Sequence, residues 1–129
     1  MFRPLLAAAA LTLAGFAFAQ GHFQRDSEEF PAGSQASRRV IEVGGCKQSG
    51  EFSKLSLMKV GPLGRVPAAL ILNRVQIKYE DQSVDTILEG DSAFYYDFYR
   101  LNKPCVDQII LDGKSTHSSR EFRVRAELE

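Results

Sequence analysis

From Val40 onward the apolar residues recur every second position, and that period decides what the chain can fold into. Val75, Ile77 and Tyr79 are separated by Gln76 and Lys78, and Phe122, Val124, Ala126 and Leu128 are separated by Arg123, Arg125 and Glu127. A β-strand sends successive side chains to opposite faces, so each run has one apolar face to bury and one polar face for water. No 3.6-residue period competes with this pattern beyond the first twenty residues. Turn residues such as Gly44-Gly45, Gly61-Pro62, Asp81-Gln82-Ser83 and Glu89-Gly90-Asp91 cut the pattern into short runs. The strands expected are 40–43, 52–60, 69–79, 84–88, 94–99, 105–112 and 122–128. This spacing predicts an all-β fold, a small antiparallel β-sandwich of about seven strands. In the fifth run, Phe94, Tyr96 and Phe98 are expected to face the core, with Tyr95, Asp97 and Tyr99 on the other side.

The N-terminus is different in kind. Arg3 supplies a positive start, residues 5–14 are apolar apart from Thr12, and Ala17-Phe18-Ala19 places small residues where a signal peptidase reads. Residues 1–19 are therefore expected to be a signal peptide, cleaved after Ala19. The apolar run falls short of the roughly 20 residues a bilayer demands, so no transmembrane segment is expected after cleavage. Periplasmic or secreted placement of a bacterial protein follows from this. Residues 20–39 are polar and broken by Gly21, Pro31 and Gly33, with Phe23 and Phe30 as their only large apolar groups. They are expected to form a flexible lead-in outside the core, leaving 40–129 as the β-sandwich domain.

Removing Arg3 with the leader leaves 15 Lys and Arg against 16 Asp and Glu. That near-neutral balance argues against nucleic acid as a partner, which calls for clustered basic residues, and against a polybasic membrane-surface role. Both cysteines lie beyond the leader. In an exported chain a pair with none left over is read as one disulfide, Cys46 to Cys105. Closing a loop that long stabilises a fold by about 4 kcal/mol in the chain-entropy model. Two cysteines cannot build a structural zinc site alone, and no Cys-x-x-Cys pair is present, so no metal or cofactor is expected.

Val40-Ile41-Glu42-Val43-Gly44, followed by Gly50, Phe52, Ser53, Leu55 and Leu57, forms one recognisable segment. Asn102-Lys103, Cys105-Val106, Ile109, Gly113 and Ser118-Ser119 form a second, and Val75, Ile77, Tyr79 and Asp85 keep the same strand-turn-strand rhythm between them. In these positions the chain resembles the YaaI-like family of small exported bacterial proteins of unknown function. The resemblance implies a small periplasmic or secreted β domain. It brings no activity and no catalytic residues.

Three groups of residues are candidates for chemistry. Tyr95 and Tyr99 would flank Asp97 on one face, and residues two apart along a strand lie about 7 Å apart. A tyrosine joins an apolar ring to a polar tip, which suits stacking on a sugar with a carboxylate nearby for its hydroxyls. His117, within Ser115-Thr116-His117-Ser118-Ser119, sits beside hydroxyls, but neighbours on one loop do not aim at one another as a triad must. His22 lies in the lead-in, and no Gly-x-Ser-x-Gly elbow exists. Asp81, Asp85, Glu89, Asp91 and Asp97 are spread through one hairpin region without the spacing of a calcium loop, and read as a solvated edge. The function expected is thus a non-enzymatic binding or envelope-interaction domain, with an envelope protein or a glycan as partner. The alternatives are a carbohydrate-binding module using Tyr95, Asp97 and Tyr99 and, third, a small hydrolase.

Overall fold

A computed structural model of the chain describes residues 22–61, 70–92, 96–116 and 122–129. The expected signal peptide at 1–19, together with Phe94, Tyr95 and His117, lies outside the described residues. In chain order the elements are β1 (Phe23–Asp26), β2 (Ser37–Glu42), a five-residue helix α1 (Gly45–Ser49), β3 (Lys54–Val60), β4 (Leu70–Tyr79), β5 (Val84–Ser92), β6 (Tyr96–Arg100), β7 (Val106–Ser115) and β8 (Arg123–Leu128). The eight described strands form two four-stranded antiparallel sheets, ordered β1-β8-β3-β6 and β2-β7-β4-β5. The expected all-β sandwich is what the chain forms.

The core is the apolar parity of each strand. Leu55, Leu57, Val124, Ala126 and Leu128 from one sheet and Ile41, Leu72, Val75, Ile77, Ile109 and Leu111 from the other are all buried. Strict alternation cannot by itself bring Leu72 and Val75 to the same side, because they are three residues apart. The β4–β7 register shifts between Leu72 and Arg74, so Asn73 is an extra residue that resets the phase. A second shift between Lys78 and Tyr79 lets Val106 and Ile109 share the interior of β7 in the same way. Gly113 is required where β7 crosses β4: a Cβ there would stand 2.5 Å from the Ile71 carbonyl oxygen.

The lead-in is where the expectation fails. Phe23–Asp26 pairs antiparallel with residues 125–128 of β8, and Phe30 bridges to Phe122. Phe30 is fully buried and Phe23 nearly so, so these two rings belong to the core. Ser27 adds to the seam, its Oγ accepting from the Val124 amide at 3.0 Å and its own amide donating to the Val124 carbonyl at 2.8 Å. A segment with only two large apolar groups is held because both are buried and its backbone completes the open edge of β8.

Cys46 and Cys105 are joined, with an S–S distance of 2.03 Å and Cα atoms 4.7 Å apart. One lies in α1 just after β2 and the other just ahead of β7. Since β2 and β7 are hydrogen-bonded neighbours, the bridge staples one end of a strand pair. Gly44 and Gly45 turn the chain into α1 with φ of 97° and 83°, and Gly45 leaves room for the Glu80 carboxylate, which a side chain would overlap. Glu80 Oε1 accepts the Cys46 amide at 2.8 Å, and the Glu80 amide donates to the Cys105 carbonyl at 2.8 Å. The hairpin after β4 is thereby tied to both half-cystines. Disulfides of this kind form and persist in oxidising compartments. No helix among the described residues is long and apolar enough to cross a membrane.

Candidate functional site

The site grows out of the phase of β6. Residues directly opposite in an antiparallel pair share a face. Leu55 pairs with Tyr99 and Leu57 with Asp97, while Ser56 pairs with Phe98 and Met58 with Tyr96. Leu55 and Leu57 are fully buried, so Asp97 and Tyr99 turn inward with them, and Tyr96 and Phe98 point outward. The sequence expectation is inverted. Tyr96 and Phe98 are 52% and 60% exposed instead of filling the core. Tyr99 packs against the core cluster.

Asp97 and Tyr99, two of the three residues expected to form a sugar site, therefore hold each other at the sandwich margin. The Tyr99 hydroxyl donates to Asp97 Oδ2 at 3.3 Å, and Asp97 Oδ1 accepts the Phe98 amide at 2.9 Å. Burial, with the Asp97 charge adding to it, pushes the Tyr99 phenol up to about 12. An inward carboxylate on an edge strand also discourages pairing with another chain.

What the outer face presents is a set of rungs running across the β1-β8-β3-β6 sheet. One rung is Gln24, Glu127, Ser56 and Phe98; the next is Asp26, Arg125, Met58 and Tyr96. Lys54 and Arg100 pair in a third rung beyond Phe98, with Glu129 joined to Lys54 through main-chain bonds of 3.1 and 3.0 Å. The aromatic rings thus form a stripe along β6, with Met58 and the buried Ser56 as its floor. Two shallow cavities open on this face. One, of about 320 Å³, is lined by Ser53, Lys54, Phe98, Arg100 and Glu129. The other, of about 220 Å³, is lined by Gln24, Ser56, Met58, Tyr96, Arg125 and Glu127.

Charge is distributed unevenly along the stripe. At the Tyr96 end it is compensated: Arg125 Nε and Arg123 Nε each donate to Asp26 at 2.8 Å. These bonds, Arg125 foremost, hold the Asp26 carboxyl below its ordinary value against the opposing effect of burial. His22 Nε2 lies 2.8 Å from Glu127 Oε2. At the Phe98 end, the Lys54 ammonium lies 5.7 Å from the ring centroid, within cation–π range. Among the described residues neither Lys54 nor Arg100 is held in a side-chain ion pair.

The remaining sequence candidates are dispersed. Asp81 caps its own turn through Ser83 and accepts from Lys103 Nζ at 2.7 Å, a pairing that holds its carboxyl far below the usual range. Asp85 Oδ2 accepts from the Tyr79 hydroxyl at 3.0 Å and from Asn102 Nδ2 at 2.8 Å. Glu89 pairs with Arg74. Asp91, exposed on β5, joins none of them. These carboxylates stitch the hairpin and do not converge. Ser115 is fully buried at the end of β7. Cys46, Glu80 and Cys105 place three ligand-type atoms within 4.8 Å of one another. Both sulfurs are committed to the disulfide and Glu80 to the Cys46 amide, so the cluster is a structural knot.

Sequence reasoning placed Tyr96 and Phe98 in the core and singled out neither Lys54 nor Arg100 as a site residue. Lys54 and Ser56 do fall opposite Leu55 and Leu57 in the alternation, which marks the outer face of β3. The pairing of β3 with β6, which assigns β6 its phase, leaves no local trace. No family model matches the chain, and no match was found among curated proteins.

Proposed function

We propose that this chain is an exported, non-enzymatic binding domain that offers the outer face of its β1-β8-β3-β6 sheet to a glycan, with Tyr96 and Phe98 as stacking rings. The observation that carries the reading is their joint exposure, 52% and 60%, two positions apart on one strand. The other large aromatic side chains described are buried or packed against the core. Exposed rings in a row forgo the burial their apolar surface would gain, and a saccharide ring laid across them restores it. Ser56, Gln24 and Glu127 border the stripe with hydroxyl, amide and carboxylate groups suited to sugar hydroxyls. An open face of this kind suits binding. The leader at 1–19 and the disulfide support a periplasmic or secreted location.

The test is a glycan array followed by calorimetry on its hits, comparing wild type with Tyr96→Ala and Phe98→Ala. Both variants are expected to lose at least tenfold in affinity while melting within a few degrees of wild type, since both side chains face solvent. Wild type failing to bind any glycan, or both variants binding as well as wild type, would overturn the proposal.

A further inference from the structure

Resting on that reading, we infer that the glycan bound on this face is acidic, with a ring carboxylate seated at the Phe98 end between Lys54 and Arg100. Charge on this face is compensated at one end and open at the other. Of the cations on the outer face, Arg123 and Arg125 are spent on Asp26, whose two oxygens accept from both guanidinium groups. Lys54 and Arg100 sit opposite each other on β3 and β6, and their register leaves them on the same face as Phe98.

The one carboxylate side chain lining that cavity is Glu129. Its main-chain oxygen is already taken by the Ser53 and Lys54 amides, at 2.7 and 3.1 Å, and its side chain makes no ion pair with either cation among the described residues. Lys54 and Arg100 line the cavity from neighbouring strands, and an anion seated there is attracted to both. Guanidinium donors match a carboxylate in bidentate fashion, and a lysine adds a point charge from the other strand.

The cavity, about 320 Å³, is at the small end of ligand sites and is bordered by the Phe98 ring, so it suits one sugar unit with its acid group. The neighbouring cavity at Tyr96 has its cation and its carboxylate already partnered, by Asp26 and by His22. It suits the hydroxyls of the adjoining unit. Two adjacent seats of different character point to a chain of sugars carrying carboxylates.

The experiment uses the oxidised mature chain with uronic-acid oligosaccharides, each set against its carboxyl-reduced counterpart of the same linkage and length. Calorimetry at 20 mM and 300 mM salt is expected to show the acid form at least tenfold tighter at low salt, with the gap shrinking at high salt as surface charges are screened. Lys54→Gln and Arg100→Gln should narrow the gap, weakening the acid form more than its neutral counterpart, whereas Phe98→Ala should weaken both alike. Equal affinity for acid and reduced forms in wild type, with Phe98→Ala still weakening each, would overturn the acidic specificity and leave the glycan site standing. No uronic-acid oligomer binding while a neutral glycan does would overturn it equally. Binding of neither class, on the array or here, would overturn both readings.

Discussion

Single residues in this sandwich carry their own pH signatures. Lys59 alternates with Leu55 and Leu57 on the inner face of β3 and is 1% exposed. Burial lowers its amine to about 8. Between that value and the ordinary one near 10.5, the unfolded chain holds a proton that the folded chain has shed, so stability must rise with pH across this window. The gain is on the order of 1–3 kcal/mol. Thermal melts at pH 7.5 and pH 10 should show the rise relative to Lys59→Met, which keeps the shape of the side chain and should lack that slope. A wild-type curve parallel to that of the variant would refute it. Asp26 acts in the same direction at the acid end of the scale. Its lowered value means that the stability from Arg125 and Arg123 is present above pH 4 and fades as acid protonates the folded carboxyl. Asp26→Asn should cost about 1 kcal/mol near neutrality and much less at pH 2, because partly exposed pairs contribute little more than that. Equal stability of this variant and wild type at pH 7 would show that the two arginines leave the fold unaffected.

At the level of elements, what could be read depended on whether a strand declares its own inner face. β8 and the second half of β4 do, because one parity is apolar and the other charged. β6 does not: Tyr96 and Phe98 on one parity face Asp97 and Tyr99 on the other, and each row holds aromatic rings. A phase error of one residue exchanges every side chain between core and solvent, and the Leu55–Tyr99 and Ser56–Phe98 pairings that decide it span more than forty residues. The bulges at Asn73 and Asp107 were hidden for a related reason, since an extra residue shows only against its partner strand. β1 was missed because four residues with one ring carry almost no periodic signal; pairing with β8 supplies what local sequence does not. Its importance can be measured through Phe30, which is fully buried against the β8 end of the sheet. Phe30→Ala should destabilise the fold by about 3–5 kcal/mol, read as a lower denaturant midpoint at unchanged slope. A flexible lead-in would leave the midpoint where it was.

For the molecule as a whole, the two cysteines were the most informative residues, because a single pair admits a single connectivity. The end of the sandwich that they tie was not visible in advance. Each sheet draws strands from both halves of the chain: β1 and β3 lie beside β8, and β2 and β4 lie beside β7. Such pairings must be made over long loops, and the entropy of closing them is a main opponent of this topology. The Cys46–Cys105 bond removes that cost for the β2–β7 pair, and through Glu80 it also fixes the hairpin after β4. A loop of this length contributes about 4 kcal/mol, against the roughly 5–15 kcal/mol that separates most folded domains from their unfolded chains. The Cys46→Ser, Cys105→Ser double variant should therefore melt well below wild type, with the loss largest at the β2–β7 end. Hydrogen exchange on the Ile41 and Ile109 amides should accelerate more than exchange on Leu57 or Ala126 in the opposite sheet. Uniform acceleration at all four would mean that the bridge acts only on the unfolded chain. Preserved melting temperature together with preserved exchange would mean that the strand pairing holds without it.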